Sequence, residues 1–135
     1  MNKLLFLPAL FLSINVLAEV AVIVHPTNAS ALTPDEITKL YLGRSKSFPD
    51  GSAAIPLAQV ESTAVTNQFN EKVLNKTSSQ MKAYWSKLVF TGKGTPPKEV
   101  ASDKDVIDLV SQNPSTIGYV DKSAVTPSVK VVTTF

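Results

Sequence analysis

The chain has 135 residues, of which 13 are Lys or Arg and 11 are Asp or Glu, so its net charge is only +2. It contains no cysteine, which excludes disulfide bonds and leaves packing alone to stabilise the fold. Charges of both signs are interspersed along the sequence, and without a basic block nucleic acid is not an expected partner.

The first 18 residues have the pattern of a cleavable signal peptide. Lys3 supplies a positive charge, an apolar run covers residues 4–12, and Val16 and Ala18 suit cleavage before Glu19. A retained membrane anchor is the alternative, but the apolar run is shorter than the roughly 20 residues that span a bilayer. We therefore expect an exported product that is periplasmic and soluble after cleavage.

Residues 19–135 have the length of one ordinary domain. Its first element is a continuous apolar run, 20–24, which predicts a strand buried on both faces, as in parallel sheets. The motif TPDE at 33–36 predicts a helix start, because Thr33 can cap the helix and the following proline suits its first position. Gly43 predicts where this helix ends.

The later elements follow from similar signals. Residues 55–60 predict a second strand, after which Ser62 or Thr63 begins a helix whose apolar residues repeat every four positions. Thr77 and Gln80 form a second capping box. The helix that follows carries the most regular apolar stripe of the chain, expected to be core: Met81, Tyr84, Trp85, Leu88 and Val89.

The end of the chain supplies one more helix and two strands. Ser102 predicts the start of the helix, and residues 116–120 and 129–135 predict the strands. Because strands and helices alternate along most of the chain, the fold class is α/β, a mostly parallel sheet flanked by helices. Ligands of such folds bind beyond the carboxyl ends of strands, which here points to loops 25–33 and 60–64.

Four segments resemble, in order and spacing, the substrate-binding proteins of phosphate ABC transporters, especially their short single-domain forms. They are LTPDEITKLYLGR at 32–44, DGSAAIPL at 50–57, STAV at 62–65 with Phe69 four residues on, and IGYV at 117–120. The resemblance implies a single-lobe fold similar to the type II periplasmic binding proteins. It also implies an oxyanion ligand, phosphate in that family, bound without catalysis or cofactor, and an ABC permease or another membrane protein as partner.

The resemblance places the family's anion-binding turn at residues 62–65. Thr63 stands where the family has a serine that contacts phosphate, and it keeps the hydroxyl. Ser62 and Ala64 replace the family's glycines, and Thr66 stands where the short relatives often have arginine. A chain of this length also provides only about one of the two lobes that enclose the anion in full-length members.

The residues themselves favour anion binding at the same place. A helix N-terminus offers unpaired backbone N–H groups and a partial positive charge. Ser62 and Thr63 add hydroxyls, Ala64 and Val65 add N–H groups, and two residues of the first loop, Thr27 and Asn28, are expected to donate from across the cleft. The alternative is that Ser62 or Thr63 only caps its own helix.

Other functions have less support in the sequence. The alternative function is a ligand-free interaction or sensory module derived from a solute-binding fold. A small hydrolase is disfavoured because His25 is the only histidine and its place beside a proline at a strand end suggests a structural role. No metal site is expected, and the oligomeric state is left open.

The signal-peptide prediction can be tested by mass spectrometry. When the full-length chain is expressed in a Gram-negative host, we expect the periplasmic product to begin at Glu19. Ala18→Arg is expected to block processing, because signal peptidase requires a small residue at the cleavage site. An unprocessed wild-type chain in the membrane fraction would contradict the prediction.

Overall fold

The computed structural model describes residues 19–135, so the predicted signal peptide, 1–18, lies outside the described residues. The elements in chain order are β1 Val20–Val24, α1 Pro34–Tyr41, β2 Ile55–Gln59, α2 Ala64–Phe69, a π-helical segment Asn70–Leu74, α3 Ser78–Phe90, β3 Lys98–Val100, α4 Asp103–Gln112, β4 Thr116–Asp121, a 3₁₀ turn Lys122–Ala124 and β5 Lys130–Thr134. Among these residues, no helix is both long and apolar enough to cross a membrane.

The strands form one sheet in the order β3-β2-β4-β1-β5. The pairs β2–β3 and β2–β4 are parallel, whereas β1 runs antiparallel to both of its neighbours. Four strands therefore point one way and β1 points the other. The predicted α/β sheet flanked by helices is confirmed, and its mixed character comes from β1.

Strand β1 is fully buried, as its sequence predicts, but it is not a parallel strand. All five of its residues have no exposed surface, because β1 lies inside the sheet with helices on both faces. Its register pairs Val20 with Asp121 and Val24 with Ile117 in the antiparallel sense. Burial on two faces makes a strand uniformly apolar whatever its direction, so the apolar run could not reveal the direction.

Alternate residues of β1 point into two cores. One core packs the sheet against α1, α2 and the π-helical segment, and includes Val22, Ile37, Phe69 and Tyr119. The other packs the opposite face against α4, and includes Ile23 and Val106 among others. The fold is thus a sheet between two helical layers.

Several helix signals are confirmed. Thr33 accepts a hydrogen bond from the backbone N–H of Glu36, at 3.2 Å, and Pro34 occupies the first turn of α1. Gly43 follows the helix with a φ of +71°, a conformation that favours glycine. Thr77 and Gln80 make both bonds of a capping box at the start of α3.

Strand β3 was not predicted from the sequence, which indicated a loop between the end of α3 and Ser102. The strand has only three residues, pairs with β2 alone at the edge of the sheet, and leaves Lys98 and Glu99 exposed. A segment this short carries too few positions to show an alternating pattern.

Candidate functional site

The structure separates the two loops that were expected to share a site. Strand β2 runs parallel to β4, whereas β1 runs antiparallel to it, so the loops that follow β1 and β2 leave opposite ends of the sheet. Thr27 and Asn28 lie at one end and residues 62–65 at the other. The prediction that Thr27 and Asn28 donate across one cleft to the same anion is therefore wrong.

The loop after β1 uses Thr27 and Asn28 in hydrogen bonds within the protein. The Thr27 hydroxyl and backbone N–H lie 2.8 and 3.1 Å from Nδ1 of His25. The Asn28 side chain accepts a hydrogen bond from the N–H of Ser30 at 2.9 Å, and the Asn28 backbone carbonyl accepts one from Nζ of Lys130 at 3.1 Å. His25 here stabilises a turn.

The first turn of α2 differs from the other helix starts. Thr63 occupies the N-cap position, but its hydroxyl donates to the carbonyl of Val60 at 3.0 Å and lies 2.8 Å from Oγ1 of Thr66. Its side chain accepts no hydrogen bond from the helix, whereas the cap side chains of α1, α3 and α4 do. The alternative in which Thr63 caps its own helix is therefore wrong.

As a result, the backbone N–H groups at the start of α2 are available. Within residues 19–135, those of Ala64, Val65 and Thr66 have no hydrogen-bond partner. Ser62 and Ala64 are exposed, so solvent and small ions reach this turn. Residues 59–69 include no Lys or Arg, and Glu61 adds a negative charge beside the turn.

A buried polar network lies beneath this turn and was missed by the sequence analysis. The Thr66 hydroxyl is 3.1 Å from both the carbonyl of Gln59 and the hydroxyl of Tyr119. The backbone N–H of Gln59 donates to the Tyr119 hydroxyl at 3.0 Å. The one local signal was Gln59 itself, a polar residue in an otherwise apolar strand.

This network replaces backbone pairing between two strands. Strands β2 and β4 share only two register pairs, Ile55 with Thr116 and Pro56 with Ile117. Beyond them, the Tyr41 hydroxyl lies 2.9 Å from the carbonyl of Leu57 and 3.3 Å from that of Ile117. The Tyr41 hydroxyl thus bonds carbonyls of both strands where their short pairing ends.

Burial perturbs both tyrosines of the network. It raises the pKa of Tyr41 well above its ordinary value of 10.0, and the neighbouring Tyr119 adds to the shift. Burial likewise raises the pKa of Tyr119, although bonds from Thr66 and the Gln59 backbone partly offset this. Both hydroxyls are therefore neutral hydrogen-bonding groups at neutral pH.

A large cleft of about 610 Å³ opens next to the network. Its floor includes the aromatic rings of Phe69 and Tyr119, and one wall is the apolar side of α3. The prediction that the stripe of α3 is core holds only in part: Met81 and Tyr84 pack against the core, but none of the 13 residues of α3 is fully buried. Tyr84 and Trp85 are half-buried on the side of α3 that faces the rest of the protein.

The cleft suits apolar contact and offers little acid–base chemistry. Its charged lining residues are Glu61, Lys82 and Glu99, all exposed. In residues 19–135, no group of three His, Cys, Asp or Glu side chains could hold a metal ion. The unpartnered N–H groups of α2 lie beside the cleft, since Glu61 and Thr66 on either side of them belong to its lining.

Comparison with solved structures shows what fold this is. A protein from Clostridium perfringens, named as a phosphate ABC transporter substrate-binding protein and solved with bound phosphate, matches with a TM-score of 0.64 at 18% identity. An ABC-type phosphate transport receptor from Vibrio cholerae matches at 0.67 and 16%, and PstS from Borrelia burgdorferi at 0.61 and 17%. No family model and no curated protein matches the sequence.

These likenesses define the class of fold, that of periplasmic phosphate-binding proteins. The matches cover 85–86% of this chain but only 45–47% of the three solved chains, so this chain spans less than half of their length. The neighbours are named as binding proteins and receptors, and at this identity the likeness is one of fold.

The bridging role of Tyr41 can be tested by Tyr41→Phe. Removing a hydroxyl that serves two buried carbonyls is expected to cost about 1–3 kcal/mol of unfolding free energy, measured by urea denaturation at neutral pH. Tyr84→Phe is the matched control, because it removes a hydroxyl bonded to the carbonyl of Leu42 in a partly exposed position, and it is expected to cost less.

Tyr41→Phe is also expected to change how the stability of the protein depends on pH above neutrality. Above pH 10 the unfolded chain loses the Tyr41 proton while the folded chain keeps it, so the wild-type protein loses stability as the pH rises towards the raised pKa. Tyr41→Phe is expected to show a shallower loss between about pH 10 and 11. Parallel curves for the two proteins would contradict the assignment.

Proposed function

We propose that residues 19–135 form a periplasmic solute-binding-like protein that binds an oxyanion, phosphate, without catalysis. The observation that carries the proposal is the shared fold with proteins named as phosphate-binding, one of which holds phosphate. The protein works without a cofactor, and its membrane partner is an ABC permease or another membrane protein.

The proposed anion site is the first turn of α2, formed by Ser62, Thr63, Ala64 and Val65 together with the N–H of Thr66. Its support is the set of three backbone N–H groups at the start of α2 that have no partner within residues 19–135. Helix N-termini favour anions because these groups point outward at the positive end of the helix dipole. Thr27 and Asn28 have no part in the proposed site.

The number of donors limits the affinity. Three hydrogen bonds to a charged group contribute about 5–9 kcal/mol, at roughly 1.5–3 kcal/mol each. Association costs at least about 4 kcal/mol. The difference, about 1–5 kcal/mol, falls short of the roughly 8 kcal/mol of a micromolar site. With no basic residue in 59–69, we expect phosphate to bind in the millimolar range.

A second candidate function is favoured by one observation. Val89 and Phe90, at the end of α3, are 52% and 92% exposed, which is unusual for large apolar side chains and typical of a contact surface. The ligand-free interaction module would use this surface and need no anion. The two candidates differ in whether phosphate stabilises the fold.

Thermal unfolding of the processed protein distinguishes them. We expect 10 mM phosphate to raise Tm by several degrees beyond sulfate and chloride at equal ionic strength, since ten times a millimolar Kd gives about 1.4 kcal/mol. Ala64→Pro removes one N–H donor at a helix position that tolerates proline, and the preceding Thr63 is already extended, with φ −82° and ψ 140°. This variant is expected to lose most of the phosphate effect.

Ala64→Ser is the control, because it keeps the N–H and should keep the effect. Equal phosphate stabilisation of wild type and Ala64→Pro would place the anion elsewhere. No phosphate-specific rise in the wild type would favour the interaction module.

A further inference from the structure

The apolar face of α3 is held in place but only partly covered. The capping box fixes its start, and the Tyr84 hydroxyl fixes its middle through a 2.6 Å bond to the carbonyl of Leu42. Ser78 adds a 2.5 Å bond to the side chain of Asn67. These contacts anchor the helix near the cleft, yet Val89 and Phe90 remain mostly in solvent. The exposed apolar surface is therefore part of an ordered element.

The charges around this surface are of both signs and unpaired. Glu61 and Glu99 lie in the lining away from α3, and Lys82 lies on α3 itself. Within residues 19–135, ion pairs join Asp35 with Lys39 and Glu19 with Lys122, and none of these three takes part in one. A face with an apolar centre and separated charges of opposite sign can complement a copy of itself about a two-fold axis.

The structural neighbours are about twice as long as the fold they share with this chain. Each continues beyond the matched fold for a little more than half of its own length, so each carries a further portion about as large as this chain. A second copy would contribute a portion of comparable size here. Its own Phe90 would meet the cleft of the first copy, and both apolar faces would be covered.

We propose that the cleft face, defined by Glu61, Lys82, Trp85, Val89, Phe90 and Glu99, is a homodimer interface. In the dimer, Phe90 of each copy packs into the cleft of the other, and Lys82 of each faces Glu99 of the other. The inference does not depend on phosphate binding, because it rests on the exposed apolar end of α3 and the charges around it.

Sedimentation equilibrium of the processed protein tests the dimer. We expect a dimer at micromolar concentration and a rise of at least tenfold in its Kd for Phe90→Glu. The side chain of Phe90 is 92% exposed, so this variant should fold, as circular dichroism can verify. Val131→Glu is the matched control on β5, away from the cleft, and should leave the Kd unchanged.

Charge exchange tests the proposed orientation. Lys82→Glu should weaken the dimer because it places two carboxylates in contact, and Lys82→Glu combined with Glu99→Lys should restore it. A wild-type protein that stays monomeric at 100 µM would overturn the proposal, as would a dimer that Phe90→Glu leaves intact or that Val131→Glu abolishes. Phosphate stabilisation of the monomeric variant would still be measurable, so the two proposals fail separately.

Discussion

The gap between β2 and β4 is the constraint on which the rest of the structure depends. The two strands pair at two positions and then part, and the hydroxyls of Tyr41 and Tyr119 satisfy backbone groups in the space between them. Phe69 stacks on Tyr119 with ring centroids 4.0 Å apart and meets Tyr41 edge-on at 4.7 Å. Burial of three rings favours the arrangement, and the hydroxyl bonds remove the cost of unpaired carbonyls.

The same network explains why α2 begins as it does. Thr66 joins the Tyr119 hydroxyl to the carbonyl at the end of β2, and Thr63 turns towards Thr66 and Val60 instead of capping its helix. Because the Thr63 hydroxyl points inward, the N–H of Thr66 also stays unpartnered, beside those of Ala64 and Val65 that begin any helix unpaired. Packing of the aromatic cluster is thereby linked, through side-chain hydrogen bonds, to the helix start that we propose as the anion site.

The sequence predicted those features that short segments determine. The start of α1, the capping box of α3 and the burial of β1 all depend on neighbouring residues, and all three are confirmed. The direction of β1 and the separation of its loop from residues 62–65 depend on strand pairing across the chain, which no local pattern encodes. The stripe of α3 shows the same limit, because periodicity indicates an apolar face and not what covers it. The sequence predicts Tyr119 only as part of a strand. The hydrogen bonds of its hydroxyl could not be predicted, because their partners, Gln59 and Thr66, are distant in the sequence.

The central claim is that the tyrosine network leaves an anion-accepting turn at the start of α2. Its most direct test is an ¹H–¹⁵N correlation spectrum of the processed protein recorded during a phosphate titration at constant ionic strength. The account predicts saturable shifts at the amides of Ala64, Val65 and Thr66 with a millimolar midpoint, and none in loop 25–33. Saturable shifts in that loop with unchanged α2 amides, or no saturable shift anywhere, would contradict it.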